Sequence, residues 1–155
     1  MKSTGGATSG IIRNTMMRVV LDSNVIYAGL RSRNGASFQL LRLLSRRAFE
    51  PAVSVPLMLE YEHAIAPLVD ATLLAREDVD SVLDFICSVS HLQDIFYAWR
   101  PTLPDPNDDF LLELAAAAAC PLIVTFNLRD FRGAEAFVVR SIEPAEFLRL
   151  VRGNP

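Results

Sequence analysis

Arg18-Val19-Val20-Leu21-Asp22-Ser23-Asn24-Val25 is the stretch on which the fold turns. Apolar residues run directly into an acid, and a second apolar run, Val25-Ile26-Tyr27-Ala28, follows the turn. A continuous Val/Leu run of this kind has the pattern of a short strand buried on both faces, as in parallel sheets. An acid at its carboxyl end stands where open α/β sheets bind ligands. Asp22 or Ser23 also fits a second role, as the cap of the helix that follows.

Outward from this stretch the same pattern recurs. Pro51-Ala52-Val53-Ser54-Val55 and Leu122-Ile123-Val124-Thr125 read as further buried strands, and Ala136 to Arg140 as a last one. A weaker strand signal covers residues 94–99. Between them lie helical patterns. Residues 23–30 form a first helix broken at Gly29. Ala36 to Arg47 follows, with Phe38, Leu41 and Leu44 inward and Arg42 and Arg46 outward. A third helix has Pro56 in its first turn and carries Leu57, Leu59, Glu60, Glu62 and Ile65 until Pro67 ends it. Glu77 to Val89 turns Val79, Val82, Leu83 and Ile86 inward and Asp78, Asp80 and Asp84 to solvent. A polar turn at 103–109 opens a helix through Ala119, residues 126–133 are a loop or short helix, and Pro144 to Val151 is the last helix. Strands alternating with helices imply right-handed crossovers. The expected fold is α/β, a three-layer sandwich around a central parallel sheet of four or five strands.

Composition narrows the class. The chain has 155 residues, 51% of them hydrophobic, enough for one well-packed domain. Residues 1–16 are Gly/Ser/Thr-rich and read as a disordered leader or tag, native or left from cloning, with 17–155 as the single domain. No apolar run is long enough to span a bilayer, and the N-terminus lacks the order of a signal peptide. Cys87 and Cys120 lie in apolar surroundings and read as buried thiols of a cytoplasmic protein. The net charge of −3 gives no sign of broad adhesion to nucleic acid, although acids that bind metal ions count as negative in that sum.

Acids stand at or just past the buried strands: Asp22 after the first, Glu60 one turn into the helix after the second, Asp130 after the strand ending at Thr125, and Asp105, Asp108 and Asp109 at the start of the long helix. In a parallel sheet all carboxyl ends face one edge, so these acids can share a cleft. Carboxylates gathered in a low dielectric repel one another and stay ionised together only when cations neutralise them. Oxygen ligands without a histidine cluster point to Mg²⁺ or Mn²⁺, and such a site suits phosphodiester cleavage by metal-activated water. Capping competes at the helix start: Asp105 fits an N-cap before Pro106, with Asp108 completing a capping box and Asp109 favoured by the helix dipole. Capping does not explain Asp22 or Glu60. An exposed surface position is the alternative for Glu60. Glu113, one turn after Asp109, fits both the site and solvent. His63 and His91 have no partner at metal-ligand spacing and read as surface or structural residues. Haloacid-dehalogenase-like phosphatases and receiver domains also begin with a strand ending in Asp. The former need a second Asp where this chain has Asn24, and both need a basic residue, usually Lys, on a later strand end; the only lysine is Lys2.

Taken together, Val20-Leu21-Asp22-Ser23-Asn24-Val25, Ser54-Val55-Pro56-Leu57-Met58-Leu59-Glu60-Tyr61-Glu62, Asp105-Pro106-Asn107-Asp108 followed by Leu112-Glu113-Leu114-Ala115, and Ile123-Val124-Thr125-Phe126-Asn127-Leu128-Arg129-Asp130-Phe131 resemble the PIN-domain family, in particular its VapC-like toxin branch. The pieces come in family order over roughly residues 17–150. The resemblance implies a metal-dependent endoribonuclease, with Asp22, Glu60 and Asp108 as the core metal-binding acids. Asp105 and Asp109 count with them, their separate roles left open by the motif. Many relatives have an acid where this chain has Asn127, and Asp130 is the candidate to supply the fourth carboxylate. Asn24, Thr125 and Asn127 would orient carboxylates by hydrogen bonds. Arg31, Arg33, Arg129 and Arg132 fall in loops at the acid edge and fit either contacts to an RNA backbone or ordinary solvated charge. The resemblance also implies an antitoxin partner and a homodimer. The rival reading is a PIN-like module that binds RNA or a protein without cutting, and Asn127 keeps it open.

One outcome follows from the leader alone. Its lack of apolar periodicity predicts that deleting residues 1–16 leaves the melting temperature unchanged; a clear loss in a thermal scan would show that the leader packs on the domain.

Overall fold

The computed structural model describes residues 16–95 and 106–153. Strands β1 (Arg18–Leu21), β2 (Glu50–Val53), β3 (His91–Leu92), β4 (Leu122–Val124) and β5 (Arg140–Ile142) form one sheet in the order β3-β2-β1-β4-β5. Every pairing is parallel. Six helices flank it: α1 (Ser23–Arg31), α2 (Ala36–Leu44), α3 (Val55–Asp70), α4 (Arg76–Val89), α5 (Pro106–Ala117) and α6 (Pro144–Val151). Helix α1 packs on α2 and α3, α2 on α6 and α3 on α4, while α5 packs on β1, β2 and β4. The result is the expected α/β sandwich. No helix among the described residues is long and apolar enough to cross a membrane.

The three inner strands are the apolar runs of the sequence. Val19, Val20, Leu21, Ala52, Val53, Ile123 and Val124 are all fully buried, as strands covered on both faces must be. Pro51 sits inside β2, where proline normally removes a ladder bond. Here Glu50 donates its N–H to Met17 on the β1 side, so position 51 faces the β3 side. β3 begins opposite Ala52, and no ladder bond is lost. At the base of the sheet the rings of Phe49 and Phe147 meet edge to face at 5.1 Å, joining the start of β2 to α6.

Several elements differ from the sequence reading. Gly29 does not break α1; it is a buried interior residue of a continuous helix. A Cβ there would stand 2.5 Å from Leu41 Cδ1 and 3.0 Å from the Ser37 carbonyl oxygen, so glycine is what lets α2 approach. Helix α2 ends at Leu44, short of Arg47, and buries Ser37, Leu40 and Leu44 with Phe38 only half-buried. Pro67 lies inside α3, whose last turn continues to Asp70, with the Ala71 N–H bonded to the Pro67 carbonyl. Val79 and Ile86 form the buried stripe of α4, and Val82 and Leu83 are half-buried beside it. The third strand is His91–Leu92: Asp94 and Ile95 lie outside it, and residues 96–99 are outside the described residues. Residues 134–137 form a short 3-10 helix, and the last strand starts at Arg140. Gly133 at φ 99° and Val138 at φ 61° both take left-handed backbone, which no strand can pass through. Cys120 is buried, with its thiol pushed up to about 12 by burial, and Cys87 is half-buried.

Gly29→Ala tests the α1–α2 approach. Alanine in a free helix would gain about 1 kcal/mol over glycine. Leu41 can turn its methyl away, but the Ser37 carbonyl is backbone, and overpacking costs about 1–3 kcal/mol. The expected outcome is a lower urea midpoint and melting temperature; a rise would show that the helices do not need the contact.

Candidate active site

The sheet reverses direction between β1 and β4, and this switch point is where open α/β sheets form a crevice beyond their carboxyl ends. Leu21 pairs with Val124, so both strands stop at the same level. The Asp22 N–H continues the ladder to the Val124 carbonyl at 2.9 Å. Asp22 and Thr125 therefore emerge side by side, and Thr125 Oγ1 donates to Asp22 Oδ2 at 2.8 Å. Thr125 is wholly buried. Its Oγ1 also accepts from the Asn127 N–H at 3.0 Å and from Asn24 Nδ2 at 3.5 Å. A hydroxyl has one proton, and these two donors occupy its lone pairs. The proton is committed to Asp22, which fixes the carboxylate's orientation.

Glu60 comes from α3. Ser54 caps that helix by accepting the Leu57 N–H at 3.3 Å, with Pro56 in the first turn. The next residue, Tyr61, is fully buried and donates its hydroxyl to the Leu21 carbonyl at 2.6 Å. That bond pins the first turns of α3 to the end of β1 and brings Glu60 beside Asp22. Burial first, and then the charge on Asp22, pushes the Tyr61 phenol well above its ordinary value, so it stays a donor. Ser23 Oγ donates to Glu60 Oε2 at 3.3 Å. Asp108 arrives from the first turn of α5, and Asp130 from a 3-10 turn after β4 (Leu128–Phe131).

These residues line one cavity of about 290 Å³: Asp22, Ser23, Asn24, Glu60, Asp108, Phe110, Leu111, Asn127 and Asp130. No basic side chain is among the described residues that line it. Asp22 shows the consequence. Its pKa is raised, chiefly by burial and further by the charge of Glu60, against the Thr125 hydrogen bond and the amides of Ser23 and Asn24. Asp22 occupies the N-cap position of α1, but its side chain makes no capping bond there. Asn24 keeps its Oδ1 buried without a hydrogen-bond partner. Carboxylate oxygens together with an orphaned amide oxygen suit a hard divalent ion. Among the described residues no three His, Cys, Asp or Glu side chains stand close enough to coordinate one ion together.

The other expected residues divide. Asp109 is buried and does not line the cavity, because neighbours on a helix point about 100° apart and Asp108 takes the cavity side. Asp105 lies outside the described residues. Glu113 faces neither solvent nor the cavity; it is buried, with Oε2 lacking a partner. Arg129 and Arg132 line an adjoining cavity of about 690 Å³ that shares Asn127 and Asp130 with the first. Arg31 closes α1 and Arg33 follows it, both exposed, and they line neither cavity. His63 is exposed and His91 Nε2 lies 3.0 Å from Gln93 Oε1. Sequence reasoning missed Ser23, Tyr61 and Phe126. Tyr61 had a signal, an aromatic directly after the acid on a helix whose other face is apolar; Phe126 had none.

Residues 18–129 match the family model of the PIN domain, and no curated protein matches the chain. PIN domains are generally nucleases and typically use divalent metal ions.

Two outcomes follow from this geometry. Asp22 titrates above its ordinary 3.8 in the folded state. The folded protein therefore holds that proton at pH values where the unfolded chain has lost it, and stability falls as pH rises from about 3.8 through the folded value. Asp22→Asn removes that loss: in chelator its melting temperature should exceed the wild type's at pH 7, with the gap closing near pH 3. A lower melting temperature at pH 7 would restore Asp22 as a structural cap. Tyr61→Phe should cost about 1 kcal/mol in urea unfolding through the lost bond to Leu21, and should loosen Glu60 without touching any carboxylate.

Proposed function

The chain belongs to the PIN-domain family, and from that premise we propose that it is a cytoplasmic, Mg²⁺- or Mn²⁺-dependent endoribonuclease of the toxin type. The observation that supports this best is the cavity at the switch point, which Asp22, Glu60, Asp108 and Asp130 all line. Asp22, Glu60 and Asp108 would share the ion, not all of them by direct bonds, and Asp130, which lines the same cavity, would stand in for the acid that Asn127 is not. A cation held there supplies an activated water and neutralises the charge that develops on the phosphate.

The chain's own groups do the positioning. Thr125 holds one oxygen of Asp22 by a hydrogen bond. Ser23 does the same for Glu60. Arg129 and Arg132 line the adjoining cavity and would grip the backbone of a bound strand. The antitoxin partner and the homodimer rest on motif resemblance, and a gene for a small DNA-binding protein immediately upstream would favour the toxin reading. The reading without cleavage draws on the neutral Asn127 and on the open spacing of the acids.

A divalent ion that binds the folded state only stabilises it by about 2.7 kcal/mol at 100 times its dissociation constant. Mg²⁺ and Mn²⁺ should each raise the melting temperature and permit cleavage of single-stranded RNA. Glu60→Gln should weaken both responses more than Glu62→Gln, and Asp22→Asn with Asp108→Asn should abolish them. Thr125→Val should lower activity about 10- to 100-fold by releasing Asp22. If neither ion shifts melting or cleavage in the wild type, the non-cutting module becomes the better reading.

A further inference from the structure

We propose that the cavity beside Phe126 is a base-binding subsite that takes one unpaired nucleobase of the RNA and prefers guanine. The proposal deepens the ribonuclease reading and rests on it. A third cavity, of about 300 Å³, is walled in part by Ala28, Ser37, Phe38 and Pro144. It shares Phe126 and Glu143 with the arginine-bearing cavity, which in turn shares Asn127 and Asp130 with the acidic one. The three form a continuous trough from the carboxylates, past Arg129 and Arg132, to a mostly apolar pocket. A strand whose phosphate lies at the acids and whose backbone follows the arginines brings its next base to that pocket.

The pocket's walls specify what it holds. Phe126 follows Thr125 directly, yet it is 48% exposed, on the wall common to both cavities. An aromatic face open in a polar trough is a stacking platform, and stacking accepts any base. Gly35 gives α2 no side-chain cap, and Gly35, Ala36 and Ser37 all border the pocket, so the positive end of that helix also faces acceptor atoms.

Glu143 selects the base. It stands at the start of α6 but makes no capping bond, and the ion pair among the described residues does not include it. A carboxylate repels phosphate, so its place between the arginines and the pocket points to donor groups on a base edge. Guanine alone offers two adjacent donors, N1–H and N2–H, to the two oxygens of one carboxylate. Its O6 and N7 acceptors suit the positive end of α2. Adenine, cytosine and uracil each set an acceptor beside their donor and would meet the carboxylate with repulsion.

The test measures binding of the full chain, in chelator to prevent cleavage, to labelled hexaribonucleotides that are all adenine or carry one guanine, cytosine or uracil. Fluorescence anisotropy should show the guanine-containing strand bound about fivefold or more tightly than the others. Phe126→Ala should weaken all the strands by about fivefold or more. Glu143→Gln should erase the guanine preference and leave the other affinities level. Arg129→Ala should weaken every strand alike, reduce the salt dependence and keep the preference. Wild-type binding without guanine preference, or a preference untouched by Glu143→Gln and Phe126→Ala, overturns the subsite and leaves the ribonuclease reading standing. A wild type that neither binds these strands in chelator nor cuts them in Mg²⁺ overturns both.

Discussion

Everything at the candidate site depends on the parallel pairing of β1 with β4. It sets Leu21 opposite Val124 and ends both strands at one level, so that an acid and a hydroxyl leave the sheet as neighbours. Side chains alternate across a strand, so a shift of one residue would turn the buried run of β1 inside out and separate Asp22 from Thr125. Full burial of Val19, Val20 and Leu21 on both faces makes such a slip expensive. The register that secures the core is therefore the register that aims the carboxylate.

The second requirement is to hold acids near one another without letting the fold relax them apart. The structure does this with polar atoms just outside the apolar interior. Tyr61 lies wholly in the core, yet its hydroxyl reaches the last carbonyl of β1 and fixes the helix that bears Glu60. Ser54 starts that helix, and Pro56 presets its first turn. The cost appears as the raised pKa of Asp22, which burial and Glu60 together make reluctant to ionise. Stability given up at such a cluster is a common trait of sites that gain it back from a bound ligand.

The legible parts of the fold were those where burial writes a continuous pattern. β1, β2 and β4 are apolar runs buried on both faces, and α6 has a sharp apolar stripe between Pro144 and Val151. β3 left almost no trace, because His91 and Leu92 are short and only half-covered, with Leu92 63% exposed. Val138 and Val139 looked like strand by composition, but a left-handed residue at 138 stops the chain from extending there. Gly29 and Pro67 were read by intrinsic propensity as a break and an end, and tertiary packing overrode both. At the site, acids at strand ends could be read from spacing. Which of Asp108 and Asp109 faces the cavity depends on helix phase at a terminus, and the exposed ring of Phe126 breaks no pattern that sequence alone displays.

The brevity of the outer strands has a consequence for how this molecule meets others of its kind. β3 has two residues and β5 has three, so each margin of the sheet presents only a few amide and carbonyl groups to a visiting chain. Long, flat margins invite strand-to-strand growth toward fibres and swapped pairs; stubs of this length do not. Among the described residues, then, the sheet's margins offer a second copy little backbone to pair with.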